Sequence, residues 1–275
     1  MTFFRFLPLL LLINFTPIYV TQDQECVMEA TFEDGSNNSG DPDINEDAPT
    51  EGRIFTSDEI ARNSKYSLVH KLYVTDPDVA GSKRCESDNM KMMDARTKVG
   101  YEYFYGFSIY LPSTWEFDGD NADILVQWKG FGGQPFISLQ QKHDGLYIRT
   151  NSNPDPDFNP ENSDDLIKLQ YPITKNVELG RWHDFIFRVI WDFKTDGVGL
   201  LYVDYKMEDS NEYKRVVDVA EPNMYNQDGY LKWGIYKPGW KAHPELTNVT
   251  MRMVWHDNIR IGFSSDMVDP DRLRE

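Results

Sequence analysis

Short runs of β-branched and aromatic residues, each closed by Gly, Pro, Asn or Asp, recur along most of the chain. The runs at 66–74, 103–111, 124–128, 136–140, 146–150, 185–191, 199–206, 230–236 and 249–261 alternate apolar and polar positions, the period of a half-buried strand. Asp144-Gly145 and Asp196-Gly197 fall between runs, where hairpin turns favour residues that tolerate positive φ. No internal repeat, heptad or long amphipathic helix interrupts the pattern. Many short strands separated by turns predict an all-β sandwich of two antiparallel sheets, a β-jelly roll. Two acidic stretches rich in Asn and Pro, 35–52 and 151–165, read as long loops inside one domain.

Within this pattern Lys232-Trp-Gly-Ile-Tyr236 stands out. On a strand, side chains two apart share a face, so Lys232, Gly234 and Tyr236 point one way and Trp233 and Ile235 enter a core. A Lys and a Tyr separated by a glycine make a cationic, proton-handling stripe with backbone room for a ligand. An ordinary solvated sheet face explains the alternation equally well. Two other segments share the logic. Arg84 and Glu86 fall on one face with Cys85 opposite, and Gln127 and Lys129 share a face with Val126 and Trp128 opposite. Arg149, after the Asp144-Gly145 turn, is a further candidate for such a face. If these stripes meet on one sheet they make a polar groove.

The chain opens with one basic residue, Arg5, before an apolar stretch from Phe6 to Val20, the form of a secretory signal peptide. Residues 1–21 are therefore expected to be the signal and 22–275 the mature domain, secreted and not inserted in a membrane. In an oxidising compartment, Cys26 and Cys85 are expected to pair, and Asn37 and Asn248 head glycosylation sequons. The 45 acidic against 28 basic residues leave a net charge of -17, which argues against nucleic acid as a partner. Much of that acidity sits in the loop stretches, so it says little about the potential inside one cleft. The histidines show no zinc-type pairing, and no carboxylate set at the strand spacing of sandwich glucanases is present.

Seven pieces in order extend the reading: Phe32-Glu-Asp-Gly35, Arg84-Cys-Glu86, Tyr105-Gly-Phe-Ser-Ile-Tyr-Leu-Pro112, Gln127-Trp-Lys-Gly130, Gly180-Arg-Trp-His-Asp184, Lys232-Trp-Gly-Ile-Tyr236 and Asp257-Asn-Ile-Arg-Ile-Gly262. In order and spacing they resemble the heparin lyase I-like and glucuronan lyase group of secreted polysaccharide lyases. That resemblance implies a concanavalin-like β-jelly roll. It also implies that the glutamine motif and the Lys-x-Gly-x-Tyr motif carry substrate binding and catalysis. Folds of this type often tie their first and last strands with a structural calcium ion, for which Glu33 and Asp257 are the candidate ligands.

Lyase chemistry explains the residue types. Removing the proton at carbon 5 of a uronate builds an enolate with two negative charges, so aimed donors must first neutralise the carboxylate. Arg84 and Gln127 are the candidates for that task. Tyr236 is the candidate for proton transfer, in its phenolate form if Lys232 and Lys129 supply positive field. Glu86, Lys232 and Arg149 complete the expected substrate contacts. Many lyases of this fold carry histidine where Lys129 stands, and some carry one near Asp88 and Asn89. The expectation is a monomeric lyase acting on an acidic polysaccharide of glucuronan, heparin or alginate type. A non-catalytic glycan-binding protein or an acidic matrix protein on the same fold is the alternative.

Overall fold

The computed structural model describes residues 26–119 and 121–272; the expected signal peptide lies outside them. With strands numbered in chain order, one sheet runs β13 (Lys214–Val219), β12 (Leu200–Met207), β11 (Arg181–Ile190), β6 (Glu102–Leu111), β15 (Met251–Gly262), β4 (Ser67–Tyr73) and β3 (Ile54–Ser57). The short β1 (Met28–Ala30) also pairs with β15. The other runs β10 (Ile167–Thr174), β9 (Gly145–Ser152), β8 (Pro135–Lys142), β7 (Asp123–Gly130), β14 (Gly229–Tyr236), β5 (Arg84–Asp88) and β2 (Asn45–Asp47). Neighbouring strands are antiparallel in both sheets, as in a jelly roll.

Each of the runs read from the alternation is a strand. The unread strands lie mostly at sheet edges. β10 carries Pro172 and is largely exposed, and β13 is charged, so neither shows a clean apolar face. The turns differ from expectation too. Lys142 pairs with Gly145, so the hairpin turn is His143-Asp144, with His143 at φ 52°. Asp196-Gly197 lies in a longer connection, 191–199, where Asp192 accepts the backbone N–H groups of Lys194 and Val198.

Alternation decides what the inner faces hold. β6 sends Tyr105, Phe107, Ile109 and Leu111 inward and β11 sends Phe185, Phe187 and Val189, all essentially buried. They meet Val126, Trp128, Ile137, Leu139, Leu231, Trp233 and Ile235 of the second sheet in one continuous core. Trp128 sits at its middle, 5.1 Å from the Tyr105 ring and 4.8 Å from Phe187. Each such side chain contributes about 1.5–3 kcal/mol on burial. With Trp128, Trp233 and Ile235 committed to the core, Gln127, Lys232 and Tyr236 are forced onto the outer face of the second sheet.

Gly234 does not leave room for a ligand. It has φ 137°, and an added Cβ would lie 2.4 Å from the Cys85 carbonyl oxygen, 2.7 Å from Glu86 Cα and 2.9 Å from the His70 ring. The space is already filled by protein, and the pairing register of β14 against β7 shifts between Trp233 and Tyr236. Glycine is needed there for the backbone.

The expected disulfide is not formed. The Cys26 thiol donates to the Met267 carbonyl at 3.3 Å, whereas Cys85 lies in the core and donates to the Arg53 carbonyl at 3.4 Å. Burial pushes the Cys85 thiol up to about 12. Of the two sequons, Asn248 is exposed, while the Asn37 amide donates to the Ile54 carbonyl at 3.1 Å. The calcium candidates lie near one another, the Glu33 charge adding to the burial that raises the Asp257 pKa, and both accept backbone N–H groups. Glu33 accepts the N–H groups of Lys65 and Tyr66, and Asp257 accepts those of Arg62 and Asn258. Among the described residues no group of three or more His, Cys, Asp or Glu could hold a metal. These two carboxylates do not by themselves make the oxygen cage calcium needs.

Gly234→Ala should destabilise the fold by about 3 kcal/mol, through a strained φ and a clash with β5 backbone, read as a lower midpoint in urea denaturation.

Candidate active site

The three stripes meet. β14 lies between β7 and β5, and the register places Lys232 beside both Gln127 and Asp88, Gly234 beside Glu86, Tyr236 beside Arg84, and Tyr230 beside Lys129. The same outer face continues through Ser138 on β8, which pairs with Gln127, to Arg149 on β9, which pairs with Ser138. Arg149 is thus two strands from Gln127, about 10 Å across the sheet.

Lys232 is not the free cation expected of it. It is 2% exposed, and its Nζ lies 2.7 Å from Asp47, 3.3 Å from Glu86 and 3.8 Å from Asp88. Burial works against its charge, but Glu86, Asp47 and Asp88 together outweigh it and raise its pKa. Asp88 is shifted upward as well, chiefly by burial, although Asn45 and the Met90 N–H donate to it. Asp47 was hidden in a stretch that reads as a solvated acidic loop; β2 brings it to the site.

Glu86 is the hub of these contacts. It is 1% exposed; one carboxylate oxygen accepts the Gln127 amide N–H, and the other faces Lys232 and, at 3.5 Å, Arg84. Gln127 is fully buried, with its Oε1 left without a partner. One amide hydrogen is spent on Glu86, so a single N–H remains for a ligand.

The Arg84 guanidinium lies 4.4 Å from the centroid of the Tyr236 ring, a cation–π contact that fixes the phenol at the half-buried end of β14. Arg84, not Lys232, is therefore the cation beside Tyr236. The Arg84 Nε is buried without a partner. Lys129 is half-buried and donates to the Gly133 carbonyl at 2.6 Å. Burial lowers its pKa, and the charges of Arg84 and Lys232 lower it further. Arg149 is also half-buried, held by Asn151 at 3.3 Å, and burial lowers its pKa. Neither Lys129 nor Arg149 has a carboxylate partner among the described residues.

The buried histidines do not supply a base here. His70 and His256 lie between the sheets with rings 5.2 Å apart, His70 against Ser87 and His256 against the Leu125 carbonyl. Burial holds both neutral, His256 down to about 3. His183 is fixed by the Glu178 carbonyl and the Tyr205 hydroxyl, each at 2.8 Å. At the place near β5 where some lyases carry histidine, Asp88 pairs with Asn45 and the Asn89 side chain accepts the Leu231 N–H.

A family model described as "Polysaccharide lyase" matches residues 32–260. No curated protein sequence matches the chain. Among solved structures, an endo-β-1,4-glucuronan lyase from the fungus Trichoderma reesei superposes with a TM-score of 0.69 at 19% identity, covering 83% of this chain and 94% of its own. A PL-14 alginate lyase from Aplysia kurodai gives 0.61 at 11% identity, covering 88% and 100%. A GH131 β-glucanase catalytic domain from Podospora anserina gives 0.50 at 12%, covering 82% and 85%. At these identities the superpositions establish a common fold. They do not establish a common substrate.

Lys232→Met should cost about 3 kcal/mol or more, because it leaves buried carboxylates facing one another. The deficit should shrink as pH falls and those carboxylates take up protons, which urea denaturation at a series of pH values will read.

Proposed function

The chain belongs to the polysaccharide lyase family, and from that premise we propose that it cleaves a uronic-acid-containing polysaccharide by β-elimination outside the cell. The observation that carries the substrate class is the set of cations on the outer face of the second sheet. Arg84, Lys129 and Arg149 stand there in a protein of net charge -17, and the last two lack carboxylate partners among the described residues. Cations left unneutralised and partly desolvated are a receptor for anions that the ligand must bring. Export is supported by the basic-then-apolar N-terminal pattern and by the exposed Asn248 sequon.

In this reading the uronate carboxylate docks against the Arg84 guanidinium and the remaining Gln127 N–H, which draw charge from carbon 5. Tyr236 takes the carbon-5 proton. The electron pair of the broken C–H bond becomes the carbon 4–carbon 5 double bond, the carbon 4–oxygen bond breaks, and the leaving oxygen receives a proton from Tyr236. Lys129, as an ammonium held on the Gly133 carbonyl, adds positive field where the enolate forms. Arg149 holds the carboxylate of a neighbouring sugar. Lys129 in the place of histidine favours one rival, a groove that binds uronans without turnover.

Incubation with glucuronan, alginate and glycosaminoglycans should generate the ultraviolet absorbance of an unsaturated uronate from at least one of them. Tyr236→Phe should abolish it while retaining polymer binding; binding without absorbance in the wild-type protein would instead support the rival.

The role of Lys129 has its own test in the pH–rate profile. Its pKa is lowered, so the ammonium is lost at lower pH than an exposed lysine would lose it. If Lys129 works as a cation, the rate falls on the alkaline side as pH rises through that value. Lys129→Arg, which keeps its charge, should then stay active with the alkaline fall moved upward. An inactive arginine variant would make Lys129 a base.

A further inference from the structure

We propose that Phe131, Tyr230 and Arg96 form a second sugar-binding position on the rim of the groove, which takes a uronate residue removed from the bond that breaks. It rests on the reading of the groove as a uronan site. Phe131 is the first residue after β7 and is 52% exposed, although it sits at the end of a strand whose other large apolar side chains are buried. Its ring lies 5.6 Å from that of Tyr230, inclined by 41°. Tyr230 occupies the same face as Lys232 and pairs across the ladder with Lys129, so the aromatic pair continues the groove without a break.

The turn presenting Phe131 is anchored. Gly133 has φ 66°, and a Cβ there would lie 2.2 Å from the Pro160 carbonyl oxygen. The Tyr225 hydroxyl lies 2.6 Å from the Gln134 carbonyl and 2.9 Å from that of Gly132. The residues that follow the exposed ring are thus tied to the body of the protein, and Gly130 before it pairs with Gly229. A fixed, exposed aromatic ring beside a polar groove offers a flat apolar surface to the C–H face of a pyranose at little entropic cost.

Arg96 supplies the charge that distinguishes a uronate from a neutral sugar. Its guanidinium lies 4.9 Å from the Phe131 centroid, and it donates to the Met90 carbonyl at 3.0 Å. Its Nε is buried with no partner, and no carboxylate pairs with it among the described residues. With Lys129 paired across the ladder with Tyr230, a sugar stacked there has cations within reach of its carboxylate.

The test measures polyuronate affinity by calorimetry in the Tyr236→Phe background, where nothing is turned over, using the uronan that the wild-type protein cleaves or binds. Adding Phe131→Ala should weaken binding about tenfold, whereas Phe131→Trp should retain it. Oligomers too short to reach the rim should bind the alanine and parent proteins equally. Arg96→Ala should weaken polyuronate binding, and the loss should shrink on raising the salt concentration. Unchanged polymer affinity in Phe131→Ala, with the parent binding normally, overturns the rim position and leaves the catalytic reading standing. A parent protein that binds no uronan overturns both.

Discussion

A buried ammonium needs counter-charges from its neighbours, and Lys232 draws them from β5 and β2 on one side of its strand. This requirement organises the groove. Holding Glu86 against Lys232 aims its other oxygen at the Gln127 amide on the opposite side of β14, so one carboxylate couples three adjacent strands. Glu86 also faces Arg84, and Arg84 lies on the ring of Tyr236. The orientation of the phenol therefore depends, through Glu86 and Arg84, on the charge of Lys232. Lys232 looked from its residue type like a substrate contact. Its burial makes it the support for Glu86 and, through Glu86, for Gln127 and Arg84.

The same accounting of charges reconciles an acidic protein with an acidic polymer. Where Asp47, Glu86 and Asp88 gather, Lys232 answers them; where Lys129, Arg149 and Arg96 stand, no carboxylate forms an ion pair among the described residues, although Glu86 and Glu161 act on Lys129 from further off. The acidic excess in the loop stretches acts over a screening length of about 8 Å at physiological salt. A polyanion at the groove therefore responds to the local cations more than to the net charge of -17. Partial burial sharpens this, since Lys129 and Arg149 have given up some hydration that an anionic partner can replace.

How much of this was legible in the sequence follows from what alternation encodes. It reports which residues share a face, so the long strands and the grouping of Arg84 with Glu86, Gln127 with Lys129 and Lys232 with Tyr236 could be read directly. Adjacency of those strands had to come from the resemblance, because strand order leaves no period in a single chain. Asp47 escaped because a three-residue strand inside an acidic stretch has too few positions to show alternation. Gly234 was misjudged because a glycine on a strand signals close approach without saying what approaches, and here it is β5 backbone. Cys26 and Cys85 invited pairing by number alone, but β1 takes one to the neighbourhood of Met267 and β5 buries the other against Arg53.

The fold is shared with a glucanase as well as with lyases, so the choice between hydrolysis and elimination has to be made at the groove. A retaining or inverting glycosidase needs two carboxyl groups flanking the scissile bond, one free to protonate the leaving oxygen and one to attack or to activate water. Glu86 and Asp88 share a strand face two residues apart, without the third carboxylate of the glucanase pattern, since Lys91 stands in its place. Both are committed to Lys232 and to amide donors. Freeing either for acid–base work would leave Lys232 without part of its counter-charge in a buried site. Tyr236 presents its hydroxyl at the half-buried end of β14, accompanied by a guanidinium and an amide N–H. Elimination from a uronate asks for just those groups: donors for a carboxylate, a proton carrier, and no second carboxyl. Here Glu86 and Asp88 are consumed in holding Lys232, Gln127 and Arg84 in place.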